Sequence, residues 1–117
     1  MQIDAWEIVV LHRTHHGKCC RVSWLKGDVD AMIGTFRVSI IPQLERTPGF
    51  CSASLLVDPS NDLGCATTAW EDRSAMESSR LAADEMRSRL ASDSAGEIVR
   101  VQEFDLAHSH LHVPEMV

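Results

Sequence analysis

The chain contains no tyrosine, so a phenolic acid or base is unavailable to any reaction it performs. Its only asparagine is Asn61. Basic residues are scarce: 11 Lys and Arg against 17 Asp and Glu leave a net charge of -6. That excludes a general phosphate-binding surface, and nucleic acid is not an expected partner. No apolar run approaches the roughly 18–20 residues of a membrane span, so no membrane partner is expected either. The short run Ile8-Val9-Val10-Leu11 follows acidic residues and precedes no small-residue cleavage site; it makes a poor signal peptide, and the expected location is the cytoplasm. The four cysteines include no Cys-x-x-Cys pair, which removes the usual zinc signature. Neither a Ser–His–Asp pattern nor a Gly-rich phosphate loop is visible.

What remains is a single-domain composition. A chain of 117 residues with 44% hydrophobic and 24% charged residues is close to the globular average, and large enough for its own core. Residues 19–25 alternate, with Cys20, Val22 and Trp24 on one side and Arg21 and Ser23 on the other. Asp28 is an expected N-cap for a helix that buries Val29, Met32, Ile33, Phe36, Ile40 and Leu44 at three- and four-residue spacing. Pro42 is expected to bend or weaken its last turn. Phe50–Asp58 reads as the clearest strand, with Cys51, Ala53, Leu55 and Val57 on one face. It hairpins through residues 58–62 into a strand over 64–70, with Cys65 expected opposite Val57 and Cys51 opposite Glu71. Those two thiols are then too far apart for a disulfide. A second helix follows from about Arg73 to Leu90, capped by Asp72, with Ala75, Ser79, Ala82 or Ala83, Met86 and Leu90 inward and Arg87 and Arg89 in its last turn. A strand over 97–106 ends the pattern.

The order strand–helix–strand–strand–helix–strand, the turn Thr47-Pro48-Gly49-Phe50 and the helix start Trp70-Glu71-Asp72 together resemble the antibiotic biosynthesis monooxygenase family over about three quarters of the chain. The resemblance implies a ferredoxin-like α+β fold, βαββαβ, with a four-stranded antiparallel sheet and both helices on one face. It divides the chain into an arm (1–18), the fold itself (19–107) and a tail (108–117). The arm is expected to pair with a sheet edge or with another subunit. The sheet face without helices is expected to pack on a second copy, giving a homodimeric α+β barrel.

For function, the resemblance implies an oxygenase that uses neither metal nor cofactor and acts on an aromatic small molecule. The alternative is a non-catalytic binding or assembly module of the same fold. Trp70 aligns with the family tryptophan at the substrate pocket, and Phe36 or Met32 is expected across from it; the other possibility for Trp70 is a core residue packed on the first helix. No catalytic residue is assigned. Family members often use an Asn beside the Trp, whereas Asn61 falls in the hairpin turn, where it suits a tight backbone conformation. The second helix lacks the His that the haem-degrading branch uses. Arg21, Arg73 and Arg80 are candidate anchors for an anionic substrate, or else surface charges paired with Glu71, Glu77 or Asp84. His108, His110 and His112 alternate, but same-side strand positions are about 6.5–7 Å apart, so a three-histidine metal site is strained, and His12, His15 and His16 join it only if the arm folds back. A solvated tail is the expected state.

Overall fold

Alternation forces the strands, and β3 is the plainest case. In the computed structural model, which describes residues 6–13 and 17–106, β3 spans Phe50–Asp58. Its Ala53, Leu55 and Val57 are fully packed while Ser52, Ser54 and Leu56 lie half-covered on the other face. A bulge between Phe50 and Ser52 turns Phe50 inward as well. The hairpin closes through a short 3-10 turn, Pro59–Asn61, into β4, Leu63–Trp70. The left-handed residue is Asp62, φ 54°, not Asn61; Asn61 instead donates its amide to the Asp58 carboxylate at 2.7 Å. Because the loop closes on Asp58 and Leu63, the register differs by one residue from the expected pairing. Cys65 faces Leu56, and Phe50 rather than Cys51 ends the ladder, opposite Trp70. All four thiols are free.

The strands β1 (Glu7–Arg13), β2 (Cys19–Lys26), β3, β4 and β5 (Glu97–Asp105) form one sheet in the order β1-β3-β4-β2-β5. Every pairing is antiparallel. The last four strands with their two helical crossovers make the ferredoxin-like α+β fold. The sheet has five strands rather than four because residues 7–13 of the arm add to the free edge of β3.

Both crossovers lie on one face. The first comprises α1 (Val29–Thr35), a π-helical turn over Phe36–Ile40 and α2 (Ile41–Glu45). Val29, Met32, Phe36, Ile40, Ile41 and Leu44 are buried on it, and Ile33 only partly. Pro42 does not fray the end; it sits in the first turn of α2. A proline ring needs room at the carbonyl four residues earlier and offers no N–H, and the wider π turn just upstream accommodates both demands. Asp28 precedes α1 without a side-chain cap bond; its backbone N–H donates to the Ser94 carbonyl instead, at 2.9 Å.

The second crossover is two helices, α3 (Arg73–Ser78) and α4 (Arg80–Asp93), broken at Ser79. Asp72 caps α3, its carboxylate accepting the Ala75 N–H at 2.8 Å. Met76 takes the inward position in place of Ala75, followed by Ser79, Ala83, Met86 and Leu90. Since α4 continues to Asp93, Arg87 lies in its interior rather than in its last turn.

Candidate functional site

The site begins with a charge that the sheet carries inside. On β2, Arg21 pairs with Thr68 of β4 on one side and Glu103 of β5 on the other. Its neighbours on the same face, Cys19, Ser23 and Leu25, are all buried beneath the helices. Arg21 is therefore not a surface charge; it is 3% exposed. Its Nε and Nη2 donate to Glu103 Oε2 at 3.0 and 2.7 Å. Nη1 donates to Ser79 Oγ at 3.1 Å and Nη2 also to the Met76 carbonyl at 2.8 Å. The guanidinium thus fastens the sheet to the break between α3 and α4, at the negative end of the α3 dipole. A buried cation is tolerated only when its charge and donors are met this fully.

Glu103 is shared. Arg80, half-exposed on α4, donates to its Oε1 at 2.7 Å. The Arg80 hydrogen bond, with those of Arg21, holds the Glu103 carboxyl at about 2 although partial burial opposes ionisation. Arg73 pairs with Asp105 at 2.6 Å on the surface. The expected partners Glu71, Glu77 and Asp84 take none of these bonds; strand β5 supplies the acids.

A cavity of about 40 Å³ opens to solvent beside this network, between sheet and helices. Its floor is Arg21, Ser23, Ala66, Thr68 and Trp70. The π turn and α2 supply Phe36, Ile40 and Leu44, and α4 supplies Ala83, Met86, Arg87 and Leu90. Trp70 is wholly buried. Its indole N–H donates to Thr68 Oγ at 3.0 Å, two residues back along β4. Phe50 meets its ring edge-on at 6.0 Å and the Arg21 guanidinium lies 5.8 Å from its centroid. Trp70 and Phe36 line the same cavity. Met32 does not; it is fully buried farther along the core, its sulfur close against Gly64. Glycine at 64 leaves the room that this sulfur occupies.

Among the described residues no carboxylate, histidine or thiol lines the cavity. The thiols elsewhere are poor nucleophiles: burial pushes Cys19, Cys20, Cys51 and Cys65 above the ordinary thiol range. Among the described residues no group of three His, Cys, Asp or Glu is placed to hold a metal. His15, His16, His108, His110 and His112 lie outside the described residues. Sequence reasoning missed Arg87 and Ser23 as lining residues. Arg87 stands four residues beyond Ala83 and one after Met86, beside the helix face that the apolar stripe marks; Ser23 gave no local signal.

No family model matches the chain. Among curated proteins, the uncharacterised Mycobacterium tuberculosis protein Rv2558 is 39% identical over 123 residues, covering 99% of this chain and 52% of that protein. A second uncharacterised protein of that organism, Rv2557, is 36% identical over 121 residues, covering 98% and 54%. The chain thus spans about half the length of the curated relatives it matches. Among solved structures, the heme-degrading enzyme LmHde of Listeria monocytogenes superposes with TM-score 0.64 at 6% identity, over 86% of this chain and 69% of that one. The monooxygenase from ActVA-Orf6 of Streptomyces coelicolor, solved with Nanaomycin D, gives 0.63 at 15% identity, over 83% and 94%. A Listeria ferredoxin-fold protein related to antibiotic biosynthesis monooxygenases gives 0.61 at 8% identity, over 89% and 65%. The chain has the fold of the antibiotic biosynthesis monooxygenase-like proteins.

Proposed function

We propose that this protein is an oxygenase of the antibiotic biosynthesis monooxygenase-like kind, holding an aromatic small molecule in the cavity against Trp70 and reacting it with dioxygen without a resident cofactor. One observation carries the reading: a wholly buried tryptophan and Phe36 face one solvent-connected cavity beneath the helices. Aromatic walls of this kind grip a planar ring by stacking and apolar contact. The hydroxyls of Ser23 and Thr68 and the charge of Arg87, all from lining residues, are suited to negative charge developing on a phenolic oxygen. Haem degradation, the activity of the Listeria neighbour, does not fit. Neither α3 nor α4 contains a histidine to ligate the iron. The protein is further proposed to act as a cytoplasmic homodimer, its two open sheet faces packed together.

A second reading is favoured by a specific feature: among the described residues, no carboxylate or imidazole stands on the cavity wall. Without a base to take the ring hydroxyl proton, the same pocket serves as a binding module. Oxygen uptake measured over a panel of hydroxylated aromatic compounds decides between them. Compound-dependent uptake that is lost in Trp70→Ala is the expected result. Binding of those compounds with no uptake above the protein-free rate overturns the oxygenase reading in favour of the binding module.

A further inference from the structure

Two arginines border an otherwise apolar cavity, and they are not equivalent. Arg21 is heavily engaged: Glu103, Ser79 and the Met76 carbonyl take four hydrogen bonds from it, and Glu103 is in turn divided between Arg21 and Arg80. Arg87 is different. Its side chain is 16% exposed, yet its one hydrogen bond and ion pair among the described residues is to Asp84, a turn earlier on α4 and itself 64% exposed. A guanidinium presents five N–H donors in a planar fork, so most of those on Arg87, a residue of the cavity lining, have no partner among the described residues. Burial, with the nearby charge of Arg21, also disfavours its charged form more than Asp84 and Glu103 favour it.

We propose that the cavity takes a small aromatic carboxylate, with its ring against Trp70 and Phe36 and its carboxylate on the Arg87 guanidinium. The aromatic half of this assignment rests on the function proposed above; the charge rests on Arg87. Size sets the rest. The open room is narrow, about 40 Å³ before any side chain moves. A single ring seats here with adjustment of Met86, an unbranched and adaptable side chain, whereas a polycyclic skeleton requires the helices to part from the sheet. The carboxylate geometry matches the planar fork two-to-two. Such an anion also gives Arg87 the partner that Asp84, exposed on the outer side of α4, does not provide inside.

The test titrates the whole chain with benzoate and with benzamide, its neutral isostere, while following the indole N–H resonances by NMR. Benzoate is expected to shift the Trp70 indole and to bind at least about tenfold more tightly than benzamide, the worth of a hydrogen-bonded charge. Arg87→Gln is expected to erase that difference by weakening benzoate alone, and Arg87→Lys to restore part of it. Unchanged amide spectra of both variants away from the cavity verify that they fold. Equal affinity of benzoate and benzamide, or benzoate binding untouched in Arg87→Gln, overturns the charge assignment and leaves the aromatic site standing. If neither compound moves the Trp70 resonance, the aromatic site and the charge assignment fall together.

Discussion

Trp70 carries two loads, one in the core and one on the cavity wall, and substitutions separate them. Trp70→Ala removes a fully buried ring and is expected to cost about 3–5 kcal/mol in urea unfolding. Trp70→Phe keeps an aromatic ring against Phe50 but loses the N–H bond to Thr68 and part of the buried volume beside Arg21, so its expected cost is smaller, about 1–3 kcal/mol. A loss near 4 kcal/mol for the phenylalanine variant would mean that the Thr68 bond and the Arg21 contact matter far more than ring volume. Glu103 makes a pH prediction. Its carboxyl is held at about 2 against an ordinary 4.5, so it binds fewer protons folded than unfolded. The resulting stability is fully present above pH 4.5 and is lost as pH falls toward 2. Allowing for the fifth of the side chain that is exposed, its size is on the order of 2–3 kcal/mol. Glu103→Gln should flatten that acid limb of the stability curve; an identical limb in both proteins would disprove the assignment. Neither Arg21 nor Glu103 was legible as a buried pair, because they lie 82 positions apart and nothing local marks either as internal.

At the scale of elements, what local chemistry decides was legible and what neighbours decide was not. The alternation in Phe50–Asp58 and the Asp72 cap are set within a few residues, and both stand where the sequence puts them. On β2 the apolar set Cys20, Val22 and Trp24 lies on the face away from the helices, while Arg21 and Ser23 go under them. No rule of single-strand pattern gives that choice, since the acid on β5 and the carbonyl on α3 make a buried arginine tolerable. The π turn and the break at Ser79 escaped for a related reason: each depends on a side chain or ring two elements or a turn away. Glycine positions give the element-scale test. Gly34, at an exposed position of α1, has open space where a Cβ would go, so Gly34→Ala should stabilise by about 0.5–1 kcal/mol through helix propensity. Gly96 is the opposite case. A Cβ there would stand 1.8 Å from the Lys26 carbonyl oxygen, which is backbone and cannot swing aside, so Gly96→Ala should destabilise where Gly34→Ala stabilises. Thermal melts of the two variants moving in the same direction would refute the close approach of β5 to the end of β2.

For the whole molecule the question is what lies on the bare side of the sheet. Both helical crossovers take one face, and the other presents Ile8, Leu56, Cys65, Trp24 and Arg100 in one cross-strand row. Val22 and Phe104 extend the apolar part in neighbouring rows. Ile8 is 61% exposed and Phe104 42%, and the Arg100 guanidinium lies over the Trp24 ring at 5.6 Å. A continuous apolar sheet face of this kind is covered in a stable protein, either by a second copy or by further chain. The relatives of roughly twice this length have polypeptide enough for the second solution. For the chain of 117 residues by itself, the copy is the expected cover, since a two-fold pairing lets identical rows meet. Light scattering on the eluted protein should therefore give twice 13.0 kDa. Val22→Glu combined with Trp24→Glu puts two charges in the middle of the face and should halve that mass without unfolding the helix side, because neither side chain reaches the cavity. A wild-type mass of 13.0 kDa at micromolar concentration, or a double variant that stays dimeric, would assign the face to some other cover.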